Sequence, residues 1–361
     1  MDYENILKEQ FGQVTEGADL HLIQEEASRL SGGLSDSFTL ENILNAAVHG
    51  ENLFSGGQVI SGFTSLILYE IRSGLVLAAE ILSICIIIGM LRSLSDGFGS
   101  KSVSRLSMLV CTMTITGISI ESFRIGYQMI LDAVSTMVWT MEVLAPVLIG
   151  LLISTGNIAS GTVLNPVITG AAAGFGFFIQ KIILPALFLS TVLILLNCLT
   201  EKDYVNRLAN LIRSSAVFLT GLLLTLLTGI ITIQGLLTES SDGLLINTAK
   251  YSLSSFIPIV GGFTSDTVEL FLRCMGTIKS IIGIFGILIL VLMMAVPLLK
   301  ALILGGIYKL TAALVEPVSH RRVADSLSDM GSSVISMASV LFFTSLLFII
   351  FLTVIMKIGG G

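Results

Sequence analysis

The stretch TGAAAGFGFFIQK, residues 169–181, decides how the chain is read. Glycine, alanine and phenylalanine run up to Lys181, and a new apolar run, IILPALFLSTVLILLNCL, starts at residue 182. Both a loop that cradles phosphate and a helix face that lies against another helix have this composition. A phosphate loop needs a buried strand before it and a helix start behind it, so that backbone N–H groups converge on the anion. Here the preceding residues are Asn165-Pro166-Val167-Ile168, and no Gly-Lys-Ser/Thr follows. The nucleotide reading fails on that context. Gly170 and Gly174 stand four residues apart, on one face of a helix, and Ala173 and Gly176 widen that flat face. Two backbones can approach closely there, where van der Waals packing replaces the hydrophobic force that lipid does not supply. The expected role is a packing face, against another helix of the chain or against a second copy.

The rest of the chain makes lipid its solvent. It has 361 residues, of which 53% are hydrophobic and 12% charged, with a mean hydropathy of +0.94. A soluble domain carries about 25% charged residues to face water. The apolar residues gather in runs at 75–91, 182–199, 216–233, 281–299 and 340–356. Roughly 18 to 20 helical residues cross a hydrocarbon core of about 30 Å. The predicted fold is an all-α, polytopic helical membrane protein of about six to eight transmembrane helices with an amphipathic helical N-terminal segment. Cys85, Cys111, Cys198 and Cys274 have no paired spacing and read as small core residues. A formal net charge of −6 argues against nucleic acid as a partner.

Residues 1–72 differ in kind from the multi-pass region at 73–357. Acids dominate this segment, from Asp2 and Glu4 to Glu51 and Glu70, against Lys8, Arg29 and Arg72. Leu40, Ile43, Leu44 and Ala47 follow helical spacing, Val59, Ile60, Phe63, Leu66 and Ile67 line a further helix, and Ser31-Gly32-Gly33 reads as a helix stop. Orientation follows from lysine and arginine, which concentrate in short cytoplasmic loops. Arg92, Lys101 and Arg105, then Lys202, Arg207 and Arg213, then Lys300, Lys309, Arg321 and Arg322 mark three cytoplasmic regions. Alternation puts the acidic N-terminal segment, 236–278 and the final glycines on the far side. The first twenty residues lack the basic start and apolar core of a secretory signal, so either a leader is removed ahead of Met1, as three basic loops favour, or the segment stays inside and the orientation is inverted.

Between 107 and 181 the pattern loosens into a threonine-rich run at 107–120, an amphipathic stretch around Trp139 and a short run at 144–154. Segments marked by proline, one at Leu144-Ala145-Pro146 and one at Pro258 with Gly261 and Gly262, fit either re-entrant turns near a pore or interfacial turns. Lys181 marks a turn between separate spans and reaches the interface, or, in a continuous helix, needs a partner. Glu80 lies inside the first apolar run, facing the bundle interior or within reach of the headgroups. Asn157, Asn165 and Asn197 read as hydrogen-bonding groups between helices. Arg207, Arg321 and Arg322 introduce amphipathic stretches that lie in the interface or offer a docking face to a soluble partner. His21, His49 and His320 have no metal-ligand spacing, and no H-E-x-x-H, G-x-S-x-G or Walker A pattern occurs. Neither a catalytic residue nor a cofactor or metal site is predicted.

With these segments in place, the chain resembles the stage III sporulation protein AE family of endospore-forming bacteria. The likeness is carried by 171–181 with the run at 182–199, by NRLANLIRSSAVFLTGLLLTLLTGI at 206–230, by AKYSLSSFIPIVGGFTSD at 249–266 and by LTAALVEPVSHRRVADSLSDMG at 310–331. It implies a multi-pass protein of the mother-cell membrane around the forespore, a non-enzymatic and permease-like subunit of an export-like channel complex. The implied partners are the other stage III A operon proteins, including the complex's ATPase and ring-forming subunits, and indirectly the forespore's stage II protein Q. Members of the family usually carry a cleavable N-terminal signal, from which this chain departs. The residues leave two rival classes open: a self-sufficient secondary transporter coupled through Glu80 or Lys181, and a structural scaffold.

Overall fold

The structure is a computed structural model that describes residues 3–16, 20–32, 35, 39–49, 56–98, 101–198, 205–256, 261–317 and 321–358. Every regular element in these ranges is helical, as the apolar runs predict. Three short helices, α1 (Tyr3–Glu16), α2 (Leu20–Ser31) and α3 (Leu40–His49), precede seven more. These are α4 (Gly56–Phe98), α5 (Lys101–Ser154), α6 (Ile158–Phe178), α7 (Leu184–Cys198), α8 (Asn206–Phe256), α9 (Gly261–Val315) and α10 (Arg321–Lys357).

Local chemistry sets the short elements. Leu7 and Phe11 of α1, Leu20, Ile23 and Ala27 of α2, and Ile43 and Leu44 of α3 are buried at helical spacing in one continuous core with the longer helices. All three short helices pack on α9. Gly32, at φ 63°, ends α2 in the left-handed region that glycine adopts without a Cβ penalty. Thr39 starts α3: its hydroxyl accepts the Asn42 N–H at 3.1 Å, an N-cap. The change of composition at 72 and 73 falls inside α4, which runs unbroken through it.

Among the described residues, five helical stretches are long and apolar enough to cross a membrane: Thr112–Ser154, Ile158–Asn197, Asn206–Ile233, Leu270–Val315 and Arg321–Lys357. Helices α9 and α10 form the central antiparallel pair, with α5 packed on both. Gly305 meets Gly331 backbone to backbone, since a Cβ on Gly331 would stand 2.7 Å from the Gly305 carbonyl oxygen. Gly286 faces both Leu144 of α5 and Leu352 of α10. Such contacts replace hydrophobic driving force with close packing.

Two expectations are corrected here. The pieces at 107–120, 124–141 and 144–154 are one helix, α5, with Pro146 inside it, so 144–154 is not a re-entrant turn. The loss of one backbone hydrogen bond at a proline does not end a helix that neighbours hold on both sides. A real stop follows at Gly156, at φ 91°. There Gly156 N–H donates to Ile153 O and Asn157 N–H to Leu152 O, a Schellman turn that folds α6 back along α5.

The second correction concerns Lys181. No turn separates 163–178 from 182–199: α6 and α7 are joined end to end by one π-helical turn, Ile179–Ile183. Pro185 explains the widening, because it has no N–H for the Lys181 carbonyl and its ring crowds that oxygen. The chain instead bonds Leu184 N–H to Ile179 O, an i to i+5 step that keeps the helix running. Lys181 is exposed there, so continuing the helix does not bury its charge.

Candidate functional site

The contacts fix the helices' relative depth. On α9, Lys279 and Lys300 bracket a stretch without charges that rises about 32 Å, close to the thickness of a hydrocarbon core of about 30 Å. Lys279 is buried and donates to the carbonyl of Ile358, next to Lys357, so α9 and α10 meet their lower charges together. At the same end, Gly276 lies beside Thr155 at the α5–α6 turn. At the upper end, Lys300 pairs with Glu70 of α4 at 3.0 Å. Gly176 packs on Val138 and Phe188 on Tyr127, with ring centroids 4.9 Å apart. Those two contacts bracket Lys181 at the height of Asp132. Lys181, Asp132, Glu70 and Lys300 therefore form a belt at one height, with Arg213 and Asp329 further along the bundle.

A second apolar stretch lies beyond the belt, formed by α4 from residue 73, the start of α5, all of α7 and the end of α9. The continuous helix Ile158–Asn197 is 40 residues, about 60 Å, or twice a hydrocarbon core. The runs expected as spans at 75–91 and 182–199, and the threonine-rich run at 107–120, lie on this side of the belt. Those at 216–233, 281–299 and 340–356 lie on the other.

A polar network joins α8 to α10 above the belt. Arg213 stands 3.5 Å from the Asp329 carboxylate, donates to the Asp329 carbonyl at 3.0 Å and to Ser333 Oγ at 3.4 Å, and also donates to Asn210 Oδ1. Ser190 of α7 donates to the Ala209 carbonyl at 2.6 Å, fixing the start of α8 against α7. A cavity of about 60 Å³, large enough for water, opens beside this network, lined by Ile194, Asn197, Asn206, Arg322, Asp325, Ser326 and Asp329.

The predicted residues are distributed unevenly over this frame. Arg207, Arg321 and Arg322 are exposed at the end where α7 gives way to α8 and α9 to α10, and Arg322 reaches the cavity. Asn197 is buried at its wall, whereas Asn165 is exposed on α6. Gly176 is packed against α5, but Gly170, Ala173 and Gly174 are exposed, and a Cβ on either of those two glycines would meet nothing within 4 Å. Glu80 is exposed on α4. Gly261 and Gly262 open α9, and Pro258 lies outside the described residues. No group of three or more metal-ligating side chains occurs among the described residues.

Sequence reasoning missed the partnership of Arg213 with Asp329, buried Lys279 and exposed Glu142. Each follows an apolar pattern in sequence, and only the pairing of helices assigns it a neighbour or a depth.

The stage III sporulation protein AE family model matches residues 38–359. The stage III sporulation protein AE of Bacillus subtilis (strain 168) is 30% identical over 313 residues, 87% of this chain and 78% of that protein. No solved structure matches. A helical membrane protein whose match runs from α3 to the end of α10 is thus a member of the stage III sporulation protein AE family.

Proposed function

We propose that this sporulation protein is a non-enzymatic integral membrane subunit, the permease-like core of an export-like channel complex connecting mother cell and forespore. It resides in the mother-cell membrane around the forespore, with Arg207, Arg321 and Arg322 on the cytoplasmic side, where they meet the complex's ATPase. The observation that carries this reading is the division of labour along the bundle. Apolar helices long enough to cross a membrane end in exposed arginines and a polar network beside a cavity, the arrangement a membrane subunit needs to receive a soluble partner. The ring-forming subunits of the stage III A operon are further partners, with stage II protein Q reached indirectly.

A self-sufficient secondary transporter would carry its coupling group along an interior path, because intramembrane charges that move ions face the bundle or a water-filled cavity. Glu80 and Lys181, the coupling candidates, are exposed on the outside of the bundle. That placement favours the subunit reading. Affinity purification in mild detergent from sporulating cells, with mass spectrometry of what accompanies the protein, tests it. Recovery of the other operon products in a large assembly is the expected result. A clean monomer or dimer would return the transporter, to be examined by flux through liposomes with Glu80→Gln.

A further inference from the structure

Glu142 of α5 is the ionisable group whose depth the structure fixes most closely. Thr140 donates to Met293 Sδ at 3.7 Å and Leu144 lies against Gly286. Glu142 is thus level with the middle of the stretch between Lys279 and Lys300, about 15 Å from each. It is exposed on the bundle surface and has no hydrogen bond or ion pair among the described residues. The carboxylate therefore stands at the bundle surface at a depth where lipid offers no donor. Along the same face, Pro146, Gly150 and Ser154 follow at four-residue intervals and are exposed. A Cβ on Gly150 would meet nothing within 4 Å, so this is a shallow track over which another backbone can come close.

We propose that this face of α5 is the docking track for a single transmembrane helix of a different protein, one that carries a lysine or arginine at mid-span. Charge complementarity selects that occupant, since a carboxylate without a partner at this depth requires a donor, and an ammonium or guanidinium supplies several. A second copy of this chain in parallel would bring its own Glu142 to the same depth, carboxylate against carboxylate. The proposal rests on the reading of the chain as a subunit of a membrane complex, and it names what one membrane neighbour must carry.

The test uses the purified full chain in phosphatidylcholine vesicles, labelled with a fluorescence donor. Single-span leucine/alanine peptides bearing an acceptor dye carry lysine, leucine or glutamate at the central position. The lysine peptide should bind about tenfold more tightly than the leucine peptide, the scale of a hydrogen bond between membrane helices. Glu142→Gln should erase that preference, and Glu142→Lys should transfer it to the glutamate peptide. Gly150→Leu should weaken lysine and leucine peptides alike by closing the track. Equal binding of lysine and leucine peptides, a preference that survives Glu142→Gln, or Gly150→Leu without effect would overturn the proposal. So would loss of energy transfer between two labelled copies of the chain on Glu142→Gln, which would assign the face to self-association. Glu142 is exposed, so both its variants should elute as the parent does. The vesicles contain no sporulation proteins, so this result and the purification from sporulating cells can fail independently.

Discussion

Two glycine-bearing faces of this molecule have the same chemistry and opposite fates. On α9 and α10, Gly305 and Gly331 bring two backbones so close that neither tolerates a Cβ, at 3.0 and 2.7 Å from the facing carbonyl oxygens. On α6, Gly170 and Gly174 look out on open space. Small residues permit close approach but do not choose a partner. The choice on α10 is made by what flanks the glycine: Arg213, Asp329 and Ser333 on one side, and on the other Met337, Leu341, Phe348 and Leu352, buried at helical spacing. On α6 only the edge of the small face, Gly176 on Val138, has such a flank.

The sharpest way to break the comparison is to fill the closed face. Gly331→Leu forces a side chain into a facing backbone oxygen, which cannot move aside as a flexible side chain would. A loss of about 3 kcal/mol or more is expected, at the upper end of overpacking effects. Thermal unfolding in detergent would read it as a large drop in midpoint, and an unchanged midpoint would show that α9 and α10 are not held at this distance.

A smaller effect belongs to the flank. Arg213→Ala leaves Asp329 with its side chain 25% exposed and without its counter-charge. The expected loss is about 2 kcal/mol, below the usual figure for a fully buried pair because water reaches one partner. Asp329→Asn in the same background should recover part of it in a double-mutant cycle; additive losses would mean that the pair does not interact. Lys300→Met, in the half-exposed pair with Glu70, should cost no more than about 1 kcal/mol and lose its effect in high salt.

The same comparison explains what could be read without coordinates. Helix identity was legible because burial in lipid or in the core leaves long apolar runs, and the stop at Gly32 was legible because a glycine there has one backbone use. Lys181 stayed ambiguous in sequence for a physical reason: a charge inside an apolar run marks an interface whether the helix turns there or continues with the side chain outside. Pro146 was ambiguous in the same way, since a proline predicts a broken hydrogen bond but not whether neighbours hold the helix. The Arg213–Asp329 pair joins residues 116 positions apart, a separation at which no local pattern carries information. The exposure of Arg207, Arg321 and Arg322 was legible because the junctions between apolar runs must collect the charge that the runs exclude.

The smallest expected change in stability belongs to the open face. Gly174→Leu adds a side chain where the structure offers 4 Å of empty space, so the unfolding midpoint in detergent should move by less than about 0.5 kcal/mol in free energy, as for surface substitutions. It should even gain slightly from helix propensity, since glycine is about 1 kcal/mol poorer than alanine in a helix interior. If the α6 face serves a neighbour in the complex, the same substitution should remove the operon partners from the purified assembly while leaving the isolated chain intact. Stability retained with assembly lost would identify Gly170, Ala173 and Gly174 as an interface, and assembly retained would leave them as a face toward lipid. A loss of stability in the isolated chain would instead close the gap between the two glycine faces, by showing that α6 packs more tightly than its open Cβ positions allow.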